Sequence, residues 1–507
     1  MTPLWTSAEA EAATGGRSTE RWTASGVSID SRSLPRKALF VAIRDQRDGH
    51  DFVADAFAKG AAAAVVSRRP PGLPEPPGGQ PLLVVEETLE ALEALARAAR
   101  QRFRGRVIGV TGSVGKTGTK DMLKVALAPQ GRVHASESSF NNKFGVPLTL
   151  ARMPRETDHA VVEIGMNRPG EISPLAGLSR LDVALVTTVV PVHMAAFSGI
   201  ADIARAKAEI FSGLRPSGTA VINRDLDPEL VGILAAAARR VGARIVTFGR
   251  SDRAEYRLTS VEADGTSTVI GASCGRTRFE FRLGLPAPHL ALNAVAVLAA
   301  VDAVGGDPSR AAAELAAWQV PTGRGNRFRV YPSVRGGRED GPWIEVIDES
   351  YNANPTSMGA ALELLAIAEP APGGEGRRSG RRVAFLGDML ELGPNEAEQH
   401  AALAQHPALD RIDRIHTAGS LMRNLHDALP DDRRGVWVPT SDRLVDQVDR
   451  LVRAGDVVMA KGSLGARMGL IVTALRGLDA RDRKDHAHGS GGMTAGPVAS
   501  CPVSGTG

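Results

Sequence analysis

Cysteine is almost missing. Only Cys274 and Cys501 occur in 507 residues, far apart, and the second sits in a Gly/Ser-rich tail. Neither a disulfide framework nor a thiolate-ligated metal centre can be built from them, which suits a reducing cytoplasm. Aromatic residues are scarce at 4%, which argues against nucleobase-stacking platforms. Charge of one sign is also lacking: 61 Lys+Arg against 57 Asp+Glu leaves +4, too small an excess to imply a nucleic-acid-binding protein. Long apolar runs are absent. The longest candidate, VALVTTVVPVHMAAF, is broken by Thr, Pro and His, and no stretch of about 18 apolar residues is available to span a membrane. The initial MTPLWTSAEAEAATGG has neither the basic start nor the apolar centre of a secretory signal. A soluble, cytoplasmic, multidomain enzyme is expected.

What is present is apolar content of 43%, enough for real cores, over a length that suggests about three domains. Gly and Pro gather in RPPGLPEPPGGQP (69–81) and PAPGGEGRRSGRR (370–382), which read as solvated loops. The stretch from residue 478 onward lacks apolar periodicity and reads as a disordered tail. Between these breaks, short β-branched runs alternate with helical patterns. The runs lie at 38–43, 63–67, 106–112, 159–165, 182–189, 218–223, 343–348, 382–387, 414–419 and 456–462. That alternation predicts βαβ units, parallel sheets and an α/β fold, with ligands at the carboxyl ends of the strands.

One such strand end carries VIGVTGSVGKTGTK. Gly112 and Gly115 let backbone N–H groups approach a phosphate chain, with Ser113 and Val114 between them. Lys116 reaches the outer phosphates, the Thr117 hydroxyl can hold Mg²⁺, and the helix that follows favours negative charge. The common longer pattern is not met, since its first glycine position is Val110; the shorter T-G-x-x-G-K-T stands here.

Several polar residues interrupt apolar patterns. Glu163 breaks the strand Val161-Val162-Glu163-Ile164, and a carboxylate there either meets a cation or faces solvent from an edge strand. His193 follows the next strand and is either a ligand on the same edge or structural. Lys207 sits within the helical stripe Ile203, Ala204, Ile210, Phe211, Leu214. A lysine there loses its charge, finds a partner, is modified, or snorkels to the surface. Asn293 either reads a base edge or caps a turn. Arg324, in a Gly-rich turn, is either a phosphate clamp or a solvated hinge residue. Asp348 ends a strand and leads into ESYNANP, which is a binding loop or an ordinary turn.

Taken together, DSRSLPRKALFVAI, RDGHDF, TGSVGKTGTK, SFNNKFGVPLTLARMP, EIGMNRPGEI, TTVVPVH, ARAKAEIF, GRG, IDESYNANPTSM, GDMLELG and AKGS span nearly the whole chain. In these segments the chain resembles the Mur ligases of peptidoglycan synthesis. The D-N-P-R signature of the third-residue-adding members is absent, and SYNANP is typical of the dipeptide-adding step. The resemblance implies three α/β domains: a UDP-sugar-binding domain (1–100), a central P-loop-type ATPase with a parallel sheet (101–325) and a C-terminal Rossmann-like domain (326–477). It implies ATP and Mg²⁺ as cofactors, and UDP-N-acetylmuramoyl-tripeptide and D-alanyl-D-alanine as substrates. No nucleic acid or membrane span is expected, and the enzyme is expected to be a monomer.

The resemblance also assigns roles. Lys207 matches a lysine carried as a carbamate, and Thr117, Glu163, His193 and Lys207 become the expected metal ligands. Lys116, Lys207, His193 and Arg324 become the expected catalytic set. Asn293 matches an adenine contact, Arg324 a γ-phosphate contact and Asp348 a nucleotide-contacting acid. Ser31, Arg32, His50, Asn141, Asn142, Tyr351, Asn352 and Asn354 match substrate contacts. The chemistry implied is activation of a carboxylate as an acyl phosphate, with domain closure around residues 324–326 keeping water out. The rivals are a sister ligase of the same superfamily, such as folylpolyglutamate synthase, and a nucleotide-gated scaffold.

Overall fold

A computed structural model describes residues 3–73, 79–137, 140–192, 196–264, 266–320, 323–332, 343–372 and 379–479. The expected metal ligand His193 lies outside them, as does the expected tail from residue 480 onward. The chain divides into two compact units, Met1–Pro321 with Glu391–Asn395, and Thr322–Leu390 with Glu396–Gly507.

Besides a two-stranded antiparallel ribbon of Trp5–Thr6 with Thr23–Ala24, the described residues of the first unit form two larger sheets. The smaller is built from β1 (Arg17–Ser18), β2 (Gly26–Ser28), β3 (Ala38–Val41), β4 (Ala63–Val66) and β5 (Leu82–Val84), in the order β1-β5-β4-β3-β2. Strands β2 to β5 run parallel and β1 is antiparallel to β5. Strands β3 and β4 are wholly apolar and wholly buried, as parallel strands covered on both faces must be. Helix α1 (Thr88–Arg102) follows. Its stripe Ala91, Leu92, Leu95, Ala96, Ala99 is buried, and Glu87 caps its first N–H groups.

The larger sheet has nine strands. They are β6 (Arg106–Thr111), β7 (Val133–Ala135), β8 (His159–Glu163), β9 (Leu181–Val186), β10 (Leu214–Asn223), β11 (Arg244–Gly249), β12 (Tyr256–Ala263), β13 (Thr268–Cys274) and β14 (Thr277–Leu283). Their order is β14-β13-β12-β11-β10-β9-β6-β8-β7. The chain leaves β6 toward β7 and β8 on one side, then crosses to β9 and β10 on the other. Beyond β6 the order therefore reverses, the place where α/β sheets open a crevice at their carboxyl edge. Helices α2 (Lys116–Leu127), α3 (Gly145–Ala151), α4 (Ile172–Ser179), α5 (Ile200–Ala208) and α6 (Ala291–Ala303) cover the faces. Helix α6 is buried all round from Ala294 to Val301, and its alanines let it lie close to the sheet.

The sequence reading expected parallel strands only. The structure ends this sheet in an antiparallel meander, β12-β13-β14, whose pairs are β12 with β13 and β13 with β14. The reason is chemical. On β14, Phe279, Phe281 and Leu283 are buried, while Arg278, Glu280 and Arg282 alternate with them and are exposed. A strand covered on one face only reads as alternation, not as an apolar run.

The second unit carries a six-stranded sheet of β15 (Asn326–Val330), β16 (Ile344–Glu349), β17 (Arg382–Gly387), β18 (Arg414–Ala418), β19 (Arg434–Val438) and β20 (Val457–Lys461). The order is β15-β16-β20-β17-β18-β19, parallel apart from β15. Helix α7 (Pro355–Ile367) follows β16 and is capped by Asn354 through a reciprocal bond with Ser357.

One buried acid anchors the strand that carries the phosphate loop. Asp182, at the start of β9, accepts the Val107 N–H at 2.9 Å and pairs with Arg106 at 3.0 Å, Arg215 at 3.4 Å and Arg100 at 3.9 Å. Removing it orphans a buried N–H and takes away the opposite charge facing buried Arg100, whose guanidinium keeps the carbonyls of Ser179 and Arg180 as acceptors. Asp182→Ala is expected to destabilise the first unit by about 3–5 kcal/mol, with a smaller loss for Asp182→Asn, read from thermal unfolding followed by circular dichroism. An unchanged melting temperature for the alanine variant would contradict this anchoring role.

Candidate active site

Strand β6 stops at Thr111, and the chain turns through Gly112–Gly115 into α2. Gly112 (φ 148°) approaches β9 so closely that a Cβ would lie 2.0 Å from the Thr187 hydroxyl oxygen. That hydroxyl donates to Val114 O at 2.6 Å, and Ser113 N–H donates to Thr188 O at 2.8 Å. The loop is therefore held by the end of the neighbouring strand. Gly115 (φ 87°) is left-handed, and a Cβ there would meet the Asn293 amide at 2.6 Å. Asn293 thus stands at the phosphate loop. Lys116 donates to Gly112 O at 2.6 Å and Ser113 O at 3.4 Å, so its ammonium lies over the loop's own carbonyls. The Thr117 side chain is buried in the first turn of α2.

Glu163 is the last residue of β8, in register with Val110 of β6, and is 1% exposed. Its Oε1 accepts the Asn141 Nδ2–H at 2.7 Å, and its backbone N–H donates to the Ser136 hydroxyl at 3.1 Å. Its Oε2 is buried and has no hydrogen-bond partner among the described residues. Lys207, in the last turn of α5, is also 1% exposed. Burial holds its pKa well below the usual lysine value, and the nearby Lys116 lowers it further, while Glu209 and Glu171 act in the opposite direction. The snorkelling alternative is removed. Glu209 also accepts the N–H groups of Gly170, Ile172 and Ser173, which fixes α4 beside α5.

These groups suit a divalent cation. A buried carboxylate oxygen with no partner calls for one, and a cation held with nucleotide phosphates needs only one or two protein oxygens. The described residues, which leave out His193, contain no cluster of three or more His, Cys, Asp or Glu.

Other expected residues have local roles. The Ser31 side chain bonds Asp55, and Arg32 is paired to Asp30 at 2.7 Å. His50 is buried, its Nδ1 2.6 Å from Asp48 and its Nε2 accepting Ser67 N–H. Asn142 caps α3 through the N–H groups of Phe144 and Gly145. In the second unit, Asp348 is buried at the end of β16 and accepts both the N–H and the hydroxyl of Ser350. Asn352 O accepts from Lys461 Nζ, which also pairs with Glu349 at 3.2 Å. Arg324 lies over the Tyr351 ring at 4.0 Å.

Two buried lysines were missed in the sequence. Lys120 of α2 is 2% exposed and donates to Ser136 O at 2.8 Å, behind Glu163. Lys461 ends β20. Lys461 closes the apolar run Val457–Ala460, a signal the sequence offered, whereas the helical neighbours of Lys120 are Lys116, Thr117, Leu123 and Lys124, so no apolar stripe marks it.

Three family models match the chain. They are the Mur ligase family, catalytic domain over residues 23–100, the Mur ligase middle domain over 110–301, and the Mur ligase, glutamate ligase domain over 326–464. The UDP-N-acetylmuramoyl-tripeptide–D-alanyl-D-alanine ligase of Bacillus subtilis (strain 168) is 34% identical over 457 residues, covering 89% of this chain and 93% of that protein. The ligase of the same name from Escherichia coli (strain K12) is 32% identical over 459 residues, covering 90% and 94%. Among solved structures, MurF from Acinetobacter baumannii aligns with a TM-score of 0.75 at 26% identity, covering 94% of this chain and 99% of that one. With three family models along the chain and relatives of 34% and 32% identity matched almost end to end, the chain belongs to the Mur ligase family.

Proposed function

We propose that this enzyme is an ATP-dependent ligase that joins D-alanyl-D-alanine to UDP-N-acetylmuramoyl-tripeptide, giving the pentapeptide precursor of peptidoglycan. The carrying observation is a phosphate loop beside Glu163, whose buried carboxylate oxygen has no partner among the described residues, with buried Lys207 close enough for the loop's Lys116 to act on it. The names of its relatives support the choice of substrates.

A carboxylate acylates poorly because oxide is a poor leaving group. In the first step a terminal carboxylate oxygen of the tripeptide attacks the γ-phosphorus of ATP, the bond to the β-phosphate oxygen breaks, and ADP leaves. The product is an acyl phosphate. In the second step the dipeptide amine attacks the acyl carbon, inorganic phosphate departs from the tetrahedral intermediate, and the nitrogen loses its proton. No covalent enzyme intermediate is needed.

Lys116 exchanges its neutral carbonyl acceptors for charged phosphate oxygens, a stronger pairing. Arg324 contacts the γ-phosphate, Asn293 the adenine and Asp348 the nucleotide. Thr117, Glu163, His193 and carbamylated Lys207 would hold Mg²⁺, which when bound neutralises charge on the transferring phosphoryl group. The carbamate follows from burial: an uncharged amine attacks carbon dioxide, a C–N bond forms and a proton leaves. A buried cation thereby becomes an anionic ligand. The enzyme acts as a monomer in the cytoplasm.

Phosphate release from ATP is expected to require both the tripeptide nucleotide and the dipeptide. Robust turnover without the dipeptide would overturn the assignment. Lys207→Ala is expected to fold normally, lose at least about a hundredfold in kcat, and regain part of it with millimolar acetate or formate. Full activity in that variant without added carboxylate would refute the bridging role.

A further inference from the structure

The turn that opens the second unit is fastened to the loop after β16. Gly325 N–H donates to Asp348 O at 2.7 Å, and Tyr351 N–H donates to Gly323 O at 3.0 Å. Ser350 tightens the same loop onto Asp348, its hydroxyl donating to Oδ1 at 2.6 Å. Between the two glycines stands Arg324, its guanidinium carbon 4.0 Å from the centre of the Tyr351 ring. Both side chains are half-buried.

A guanidinium held against an aromatic face is attracted by the ring's negative quadrupole, while its N–H groups still point outward in its own plane. The stacking therefore limits how the arginine turns without using up the donors that grip a phosphate. It also occupies one face of the Tyr351 ring.

We propose that Tyr351 is a positioning residue rather than a substrate contact: its ring pre-orients Arg324 for the terminal phosphate of ATP. The inference rests on the reading of Arg324 as the γ-phosphate arginine. A pre-oriented arginine loses less side-chain freedom when the phosphate arrives, so part of the preference for ATP over ADP resides in the ring.

The test uses the full-length enzyme with Mg²⁺ and saturating tripeptide nucleotide. Affinities for ADP and for the non-hydrolysable analogue AMPPNP are measured by calorimetry. Arg324→Ala should weaken AMPPNP binding and spare ADP. Tyr351→Ala and the bulkier Tyr351→Leu should do the same by about 3- to 30-fold, while Tyr351→Phe keeps the wild-type ratio. The double variant Arg324→Ala/Tyr351→Ala should lose no more than Arg324→Ala alone. Retained ADP affinity shows that each variant is folded, and Tyr351→Leu decides if the alanine variant is not. The inference is overturned if Arg324→Ala shifts the ratio and the Tyr351 variants do not, or if the two losses add. If Arg324→Ala leaves the ratio intact, the γ-phosphate reading fails first and the inference falls with it.

Discussion

A carboxylate sealed inside a protein with one oxygen unpartnered is an unstable arrangement unless a cation is supplied. Glu163 is in that position: one oxygen is satisfied by Asn141, and the other is buried without a partner among the described residues. An isolated buried charge costs far more than a surface one, so a divalent cation arriving with a nucleotide gains more here than the same contact would provide in water. Lys207 poses the opposite problem, a buried amine whose protonated form is disfavoured by its surroundings and by Lys116. Both side chains are thus buried ionisable groups whose charged forms are costly where they stand.

Around that constraint the scaffold leaves little freedom. The close approach of Gly112 to Thr187 ties the phosphate loop to the end of β9, so the loop's shape is set by the sheet and not by its ligand. Asp182 holds the opposite end of the same strand pair against β6. Asn293 is brought to Gly115 by α6, whose small buried residues allow the helix to come near. Binding therefore has little backbone left to order, which is where preorganisation contributes most.

Much of this could be read from the residues alone, for physical reasons that differ from case to case. Strand–loop–helix geometry at TGSVGKT is local, so the phosphate loop was legible. Lys207 was legible because a charge in an apolar helical stripe has few explanations; Lys120 was not, since Lys116, Thr117 and Lys124 surround it on its helix face. The bond between Asn141 and Glu163 was not legible, since it joins residues 22 positions apart through a loop with no periodicity. The capping by Asn142 and Asn354 shows why motif residues are hard to divide by role: one polar side chain can serve a helix end where a ligand contact was expected. The antiparallel meander was missed because a run of alternating charge looks like surface, whichever way the strand runs.

That meander leaves β14 as the last strand of a nine-stranded sheet. An outermost strand offers unpaired backbone groups to any extended chain that comes near. On β14 the outward positions are Arg278, Glu280 and Arg282, a row of alternating sign. A second copy adding its own β14 in antiparallel register about Glu280 would set acid against acid and arginine against arginine. The residues that disguise this strand in the sequence thus also oppose that register of self-pairing.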